Sequence, residues 1–358
     1  MGSAKRKPRV LMIGPGRQVR GGISTVVNSY FEFGLDEKNE LTYLSTMEDG
    51  NKSKKLLIAI MSYIRFCKKI KQYDILHVHM AAQASFARKA LFIRTAYKRG
   101  KKIIIHQHAA DFDKYYFEQS DVKKQKKIKE VFGLADRIIV LSDEWADFFG
   151  KNICDESKIE IMYNGVSIPE YEKKEYVDNN VLFLGRLGER KGTYDLLKVI
   201  PEVLKSVPDA MFYLCGDGDI ERCNEIVEKE KLQKNVKILG WISGEERVKY
   251  LGKCSTFILP SHHEGMPMSV LEAMSYGLAT ISSNAGGIPQ IIENGVNGLR
   301  IDAGNLKDIS DSLVKILSDK RFKESIGRAG RARIMNYFNV EGNIERLNHL
   351  YSELEEFK

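Results

Sequence analysis

The stretch Leu259–Ile292 constrains the fold most, because it alternates strand and helix patterns within a short length. The apolar run Phe257–Leu259 predicts the end of a buried strand. A short helix with one apolar side follows Pro267 and ends at Gly277. Residues 280–282 then predict a second buried strand. Two strands joined through a helix by short loops predict an α/β fold, in which helices cover a parallel sheet.

Two acidic side chains bracket the start of this helix. Glu264 lies in the loop beyond the carboxyl end of the first strand, and Glu272 follows eight positions later on the helix. Open α/β sheets bind ligands at this edge, and ionised carboxylates accept hydrogen bonds, so the pair suits a ligand rich in hydroxyl groups. The spacing alone leaves a second interpretation open, in which one acid is a solvated loop residue and the other lies on the helix surface.

The segment EGMPMSVLE, followed by AMSYG and AGGIPQII, resembles the E-x7-E signature of the family 4 retaining glycosyltransferases. The resemblance implies the GT-B fold, an α/β fold in which two Rossmann-like, doubly wound parallel-sheet domains face each other across a cleft. It also implies that Glu264 contacts the transferred sugar and that Glu272 holds the ribose of the nucleotide. The residues between them that it assigns to the nucleotide-sugar site are Gly265, Met266, Pro267 and Met268.

The composition, 43% hydrophobic and 29% charged residues, is that of a soluble globular protein. No apolar stretch approaches 18 residues, so no transmembrane helix is expected. The five cysteines are scattered without CxxC spacing, so neither a disulfide framework nor a zinc site is indicated, and a reducing cytosol fits best. The net charge of +8 is uneven, with +10 on residues 1–175 and −2 on residues 176–358. The amino-terminal half therefore favours anionic partners: a membrane surface, a lipid diphosphate or a nucleic acid.

The chain begins with a predicted buried strand at Arg9–Gly14, followed by the glycine-rich segment GPGRQVRGGIS. This segment has neither the spacing of a dinucleotide GxGxxG motif nor a Walker lysine. The family resemblance implies that Gly21 and Gly22 lie close to the donor diphosphate at the start of the first helix. A flexible turn is the alternative interpretation.

Two lysine-rich helices are predicted at residues 52–73 and 120–132. In the first, basic residues surround a helical pattern of apolar ones. One interpretation is that these helices pack on their own sheet and expose a lysine face to solvent. The other is a peripheral surface that rests on anionic lipid headgroups. The apolar positions of the first helix are Leu56, Leu57, Ile60, Ile64, Cys67 and Ile70.

Histidines end two further predicted strands, DILHVH at residues 74–79 and KIIIHQH at residues 102–108. No acidic residue completes a metal spacing such as HExxH, so no metal site is expected. The run HQHAAD resembles the strand-end histidine motif of the family, in which a histidine faces the transferred sugar. We assign that role to His108, with His106 as the structural alternative because a strand alternates its faces.

A second set of alternating strands and helices begins after residue 170, where the charged segment 167–178 lacks periodicity. Arg186 and Lys191 lie five positions apart in a glycine-containing loop between a strand and a helix. Two cations and the amides of a helix amino terminus form a suitable diphosphate site. A coincidental surface pair is the alternative, and the resemblance to the family motif GRLxxxKG favours the diphosphate site.

The run CGDGD follows another predicted strand, and the resemblance places Gly216 and Gly218 in the loop beside the nucleotide. Asp217 with Asp219, like Asp111 with Asp113, has the spacing of a metal-binding DxD motif. We discount both pairs, because GT-B enzymes neutralise the leaving diphosphate with cationic side chains and helix dipoles.

The resemblance implies an amino-terminal acceptor-binding domain at residues 1–170 and a nucleotide-sugar-binding domain at 171–335. It also implies that a terminal helix at 336–358 crosses back to the first domain. The resemblance implies a retaining, metal-independent glycosyltransferase with no cofactor, using a nucleotide-sugar donor, most commonly a UDP-sugar. The catalytic residues it implies are His108, Arg186, Lys191 and Glu264. A non-catalytic nucleotide-sugar-binding subunit and a sugar-nucleotide epimerase are the alternative functions.

The expected acceptor is a glycan or a polyprenyl-diphosphate-linked glycan, as in the assembly of bacterial capsule, exopolysaccharide or lipopolysaccharide. We expect no nucleic-acid partner, because few aromatic residues lie among the lysines. The expected location is the cytoplasm, with peripheral contact between helices 52–73 and 120–132 and the anionic inner face of the plasma membrane.

Overall fold

The computed structural model describes residues 6–170 and 177–356. Its contacts divide the chain into two compact units. Unit 1 comprises Met1–Gly165 with Val340–Lys358, and unit 2 comprises Val166–Asn339. The divisions fall near the expected boundaries at residues 170 and 335, and residues 171–176 of the expected linker lie outside the described residues.

Unit 1 contains a parallel sheet with the strand order β2-β1-β3-β4-β5-β6. Four of its six strands, β1, β3, β4 and β5, are almost wholly buried, because helices cover both faces of a parallel sheet. The order reverses direction between β1 and β3, which marks a topological switch point. The strands are β1 (Arg9–Gly14), β2 (Glu40–Ser45), β3 (Ile75–Met80), β4 (Lys102–Gln107), β5 (Arg137–Val140) and β6 (Ile159–Ile161).

Seven helices of unit 1 connect or follow these strands. They are α1 (Gly22–Glu32), α2 (Leu35–Lys38), α3 (Lys52–Lys69), α4 (Gln83–Lys98), α5 (Phe112–Phe117), α6 (Val122–Gly133) and α7 (Asp143–Asn152). Aromatic side chains form much of the core beneath them; Phe132 and Phe149, for example, have ring centroids 5.1 Å apart.

The predicted basic helix 120–132 corresponds to α6, which buries its apolar side. Ile128, Val131 and Phe132 are fully buried, whereas Lys123 and Lys127 are exposed. Here the helix packs on its own unit and presents its lysines to solvent.

The predicted helix 52–73 corresponds to α3 and the single 3-10 turn Ile70–Gln72, and it packs on its own unit through only part of its predicted apolar side. Phe66 and Ile70 are buried, but the first four residues of the predicted apolar side are exposed. The helix has apolar residues on two sides, and the unit covers only one of them. The exposed ones are Leu56, Leu57, Ile60 and Ile64, together with Met61.

Unit 2 contains a second parallel sheet, with the strand order β12-β11-β10-β7-β8-β9. The order reverses between β7 and β10, as in a Rossmann fold, and ligands bind beside such a reversal at the carboxyl ends of the strands. The strands are β7 (Val177–Leu184), β8 (Met211–Cys215), β9 (Val236–Gly240), β10 (Cys254–Leu259), β11 (Ala279–Ser283) and β12 (Leu299–Ile301). The two sheets confirm the predicted pair of Rossmann-like folds.

The helices of unit 2 pack around this sheet. They are α8 (Thr193–Ser206), α9 (Ile220–Lys229), α10 (Gly244–Lys253), α11 (Met268–Ser275), α12 (Ile288–Ile291), α13 (Leu306–Ser318) and α14 (Lys320–Tyr337). A single 3-10 turn at Glu189–Lys191 precedes α8.

The terminal helix α15 (Val340–Glu356) belongs to unit 1. Asn343 donates a hydrogen bond to the carbonyl of Tyr163 at 2.7 Å, and Arg346 donates one to the carbonyl of Ile161 at 2.6 Å. Further along the helix, the hydroxyl of Tyr351 lies 2.6 Å from Nδ1 of His77, so α15 reaches the polar end of β3.

None of the helices in residues 6–170 and 177–356 has the length and apolar character needed to span a bilayer.

We predict that Gly192→Ala destabilises unit 2 more than Gly295→Ala. Both glycines have left-handed backbones, with φ of 68° and 79°, so alanine costs about 1 kcal/mol at each. A β-carbon at Gly192 would also overlap the carbonyl of Pro260, whereas the space at Gly295 is open. The expected loss for Gly192→Ala is about 2–4 kcal/mol in the free energy of unfolding, measured by urea denaturation. Equal losses for the two variants would contradict the packing described here.

Candidate active site

The loops after β7 and β8 interlock at the carboxyl edge of the unit 2 sheet. The backbone N–H of Leu187 donates a hydrogen bond to the carbonyl of Asp217 at 2.6 Å, and that of Asp219 donates one to Leu187 at 3.1 Å. Gly216 and Gly218 permit this approach, since a β-carbon at either would overlap the backbone of Gly185 or Leu187. The predicted glycine pair therefore holds these two loops together.

Arg186 projects from the first of these loops into solvent and is 65% exposed. Its Nη1 atom lies 3.3 Å from Oδ2 of Asp217. An ion pair this exposed contributes little to stability, so the guanidinium can exchange its partner at small cost.

Lys191, at the end of the 3-10 turn before α8, is held much more firmly. Its Nζ atom lies 2.5 Å from Oε1 of Glu264, and both side chains are largely buried, with 14% and 5% exposed. The hydroxyl of Ser261 donates a second hydrogen bond to the same carboxylate oxygen at 2.6 Å. Two predicted site residues, 73 positions apart, thus meet beside the switch point.

A glycine turn after β11 supports the loop that carries Glu264. The N–H of Gly287 donates a hydrogen bond to the carbonyl of Gly265 at 2.5 Å. A β-carbon at Gly286 would overlap the carbonyl of Glu264, so only glycine fits there. Glu264 is therefore held through its carboxylate by Lys191 and Ser261 and through its backbone loop by the glycine turn. The following predicted residues, Gly265, Met266, Pro267 and Met268, are all buried, and α11 begins at Met268.

Glu272 on α11 forms an ion pair with Arg247 of α10. Burial raises the pKa of the Glu272 carboxyl, and the neighbouring guanidinium opposes that shift. Neither Glu272 nor Glu264 is the solvated acid of the alternative interpretation. The sequence does not identify Arg247 as a site residue, because nothing in its local segment GEERVKY distinguishes it from a surface arginine.

In unit 1, Gly21 and Gly22 are exposed at the amino terminus of α1. Gly21 has φ of 147°, and open space surrounds both positions where a β-carbon would lie. Within the described residues, no side chain caps this helix end. Its amides are therefore accessible to an anionic group.

The histidines of β3 and of the end of β4 form one stack on the same side of the sheet. Nδ1 of His79 lies 2.9 Å from Nε2 of His108, and the rings of His106 and His108 are 4.2 Å apart. The alternation of strand faces does not separate His106 from His108, because they lie two positions apart. The exposed fraction of the two side chains distinguishes them, because His106 is fully buried and His108 is only partly buried.

Burial keeps this stack uncharged. It lowers the pKa values of His77 and His108 to about 3, and those of His79 and His106 well below the ordinary value of 6.5. The paired HxH motifs predict part of this cluster, but Tyr351, which bonds to His77, is 274 positions away in sequence.

Three of these imidazoles could hold a metal ion, since His77, His79 and His106 offer ring nitrogens within 4.8 Å of one another. Zinc–nitrogen bonds of about 2.0–2.1 Å in a tetrahedron would bring ligand nitrogens closer together than this. The rings would therefore have to move inward. The DxD pair Asp217 and Asp219 is already engaged, with Arg186 and with the hydroxyl of Tyr194.

Two protein-family models match the chain. The model described as "Glycosyltransferase Family 4" matches residues 35–169, and the one described as "Glycosyl transferases group 1" matches residues 168–333. Together they span both units.

Curated relatives match along most of their length. A 2-deoxystreptamine N-acetyl-D-glucosaminyltransferase of Niallia circulans is 27% identical, over 80% of this chain and 78% of its own. A UDP-Gal:alpha-D-GlcNAc-diphosphoundecaprenol alpha-1,3-galactosyltransferase of Escherichia coli is 26% identical, over 89% of this chain and 85% of its own.

Among solved structures, sucrose-phosphate synthase from Thermosynechococcus elongatus is similar, with a TM-score of 0.81 over 99% of this chain and 100% of that one. Sequence identity is 17%, so this likeness concerns the fold, and it confirms the predicted GT-B class.

We predict that acid weakens unit 1 through its buried histidines. Their pKa values are lower in the folded than in the unfolded chain, so the unfolded state binds more protons below about pH 6.5, and stability falls as pH decreases. His106→Gln should remove up to about 1.5 kcal/mol of the loss between pH 6.5 and pH 5.0 in urea denaturation. The pKa of Lys89 is lowered to about 7, so its own effect lies above this window.

His349→Gln is the matched control, because this histidine lies on α15 of the same unit and is 77% exposed. It should leave the pH dependence as in the wild type. If His106→Gln also leaves it unchanged, His106 is not buried as an uncharged group.

Proposed function

This chain belongs to glycosyltransferase family 4, and on that premise we propose that it transfers a sugar from a nucleotide diphosphate to an acceptor hydroxyl. We propose further that the anomeric configuration is retained and that neither a metal ion nor another cofactor is required. The observation that carries the proposal is the buried contact of Lys191 with Glu264, two residues of the family motifs, beside the switch point of unit 2.

In this proposal the diphosphate of the donor displaces carboxylates from the two cations. Lys191 exchanges Glu264 for a phosphate oxygen, and the exposed Arg186 exchanges Asp217 for another. Both cations then stabilise the negative charge that grows on the departing diphosphate, as preorganised donors do. Glu264, still held by Ser261, accepts hydrogen bonds from the hydroxyl groups of the sugar.

In the same proposal, Glu272 binds the ribose of the nucleotide. Arg247 bonds to its Oε2 atom and fixes the side chain, which leaves Oε1 to accept from ribose hydroxyl groups. The buried stretch from Gly265 to Met268 and the close-packed Gly216 and Gly218 shape the surroundings of the nucleotide.

The unit 1 residues have separate roles. The open amides at Gly21 and Gly22 suit the diphosphate, and His108 contacts the transferred sugar. His79 holds the ring of His108 through a 2.9 Å hydrogen bond, and both imidazoles are neutral. His108 is thus a neutral hydrogen-bonding group rather than a cation. Asp219 of the DxD pair stays engaged by the hydroxyl of Tyr194, which supports a metal-independent reaction.

For substrates we propose a UDP-sugar donor and a lipid-linked glycan acceptor, as in the synthesis of a bacterial surface polysaccharide. The printed name of the Escherichia coli relative, a UDP-Gal transferase that uses a diphosphoundecaprenol-linked sugar, supports both. The charge of +10 on residues 1–175 suits a lipid diphosphate. We also propose that the protein works in the cytoplasm at the inner face of the membrane, with no nucleic-acid partner.

We predict that Arg186→Ala and Lys191→Ala each lower kcat by about a hundredfold or more, because each removes a preorganised cation from the leaving diphosphate. Turnover is measured as release of nucleoside diphosphate in the presence of EDTA, which should have no effect. NMR of the product should show the anomeric configuration of the donor.

Lys205→Ala is the control, since Lys205 lies on α8, pairs with Glu202 and is 72% exposed. It should match the wild type. Turnover of Arg186→Ala within about threefold of the wild type would rule out the assigned role.

A further inference from the structure

Helix α3 carries an exposed apolar stripe that unit 1 does not cover. Its residues, spaced at helical intervals, run for about 12 Å along the helix. Leu57 is 57% exposed and Ile60 is 51% exposed. A contiguous apolar patch on a monomer marks a site of contact with another molecule or a membrane. The stripe comprises Leu56, Leu57, Ile60, Met61 and Ile64.

Helix α4 extends the same surface. Its Leu91 is 48% exposed, and a shallow groove of about 230 Å³ lies between the two helices. Ile60, Ile64 and Leu91 line the groove together with Arg88. The Nε atom of Arg88 is buried without a hydrogen-bond partner in the described part of the chain. The groove thus combines apolar walls with an unsatisfied cationic donor.

The charged residues of α3 and α4 all have one sign, although Lys89 is buried and Arg94 lies 3.9 Å from Glu130 of α6. Helices α3 and α4 together contain ten lysine and arginine residues and no aspartate or glutamate. On α3 they lie toward both ends of the stripe, where long side chains can place their charges in the headgroup layer while the apolar residues enter deeper. Lys54 and Lys55 precede the stripe, and Arg65, Lys68 and Lys69 follow it.

The comparison with α6 shows that this is not a general property of the basic helices. α6 is also rich in lysine, but it buries Ile128, Val131 and Phe132. Of the two helices predicted to be lysine-rich, only α3 leaves a run of apolar side chains exposed among the described residues.

We infer that the exposed side of α3, with the adjoining groove of α4, inserts into the acyl-chain boundary of an anionic phospholipid monolayer. Amphipathic helices with a basic polar side and exposed leucine and isoleucine bind membranes in this way. A second copy of the chain fits less well, because a two-fold contact would bring two such cationic surfaces together. The inference deepens the proposed membrane location, and it concerns insertion rather than charge attraction alone.

Apolar insertion and surface attraction differ in their response to salt. Salt shortens the Debye length from about 10 Å at 0.1 M to about 3 Å at 1 M, which removes attraction between separated charges. Burial of apolar side chains in the acyl region is not screened. Insertion therefore predicts a component of binding that survives high salt and depends on the stripe.

The test is co-sedimentation of the full chain with vesicles of phosphatidylcholine, with and without about 30% phosphatidylglycerol, at 0.1 M and 1 M NaCl. The wild type should bind the anionic vesicles and retain measurable binding at 1 M NaCl. Leu57→Ser/Ile60→Ser should lower the partition coefficient about tenfold or more at both salt concentrations, because apolar area supplies the unscreened part. Both residues are half exposed, so the substitutions disturb little packing.

Val296→Ser/Met335→Ser is the matched control, with 54% and 47% exposure in unit 2. It should partition like the wild type. Equal partition of the stripe variant and the wild type, or no binding of the wild type to either vesicle, would overturn the inference. Light scattering that shows a dimer lost in the stripe variant would also overturn it, by identifying the stripe as a contact between copies.

The proposed chemistry is tested separately in the same preparations. Donor hydrolysis without vesicles should be equal in the wild type and the stripe variant, because neither residue belongs to the site. Absence of turnover with intact partition would refute the proposed function alone, and turnover without partition would refute insertion alone.

Discussion

The buried ion pair between Lys191 and Glu264 is the interaction on which the site of unit 2 depends. Removing one partner of such a pair leaves an uncompensated buried charge and typically costs about 3–5 kcal/mol. The loops that carry the two residues are therefore held together until another anion replaces the carboxylate. Gly192 and Gly286 permit this proximity, because a larger residue at either would meet the backbone of Pro260 or Glu264. The glycines of the motif thus serve the geometry of the ion pair.

In its histidine stack, unit 1 buries neutral polar groups instead of an ion pair. Its histidines lie uncharged on adjacent strands, and His79 fixes His108, the least buried of them. A neutral, rigid imidazole can offer a hydrogen bond without carrying a charge. The two units thus treat charge in opposite ways, since unit 1 buries neutral imidazoles and unit 2 buries an ion pair.

Much of this arrangement could be predicted from sequence, since apolar runs and glycine turns locate the strands, and the motifs locate Lys191, Glu264 and Glu272. The pairings could not, because the Lys191–Glu264 and Arg247–Glu272 contacts arise from strand order, which brings together loops and helices that are distant in sequence. The sequence also does not predict that the side chains of Leu57 and Ile60 are exposed. A helix with apolar residues on two sides does not reveal which side the protein covers.

The nucleotide-sugar site of unit 2 can be tested with a panel of UDP, GDP, ADP and TDP sugars, scored by thermal shift and by slow hydrolysis without acceptor. A ligand at a hundred times its Kd adds about 2.7 kcal/mol to the free energy of unfolding, which gives a clear shift. We expect that a UDP-sugar stabilises the protein and is hydrolysed with release of UDP, and that Glu272→Gln weakens its binding. Absence of stabilisation by every member of the panel would contradict the assignment of Arg186, Lys191 and Glu272 to a nucleotide-sugar site.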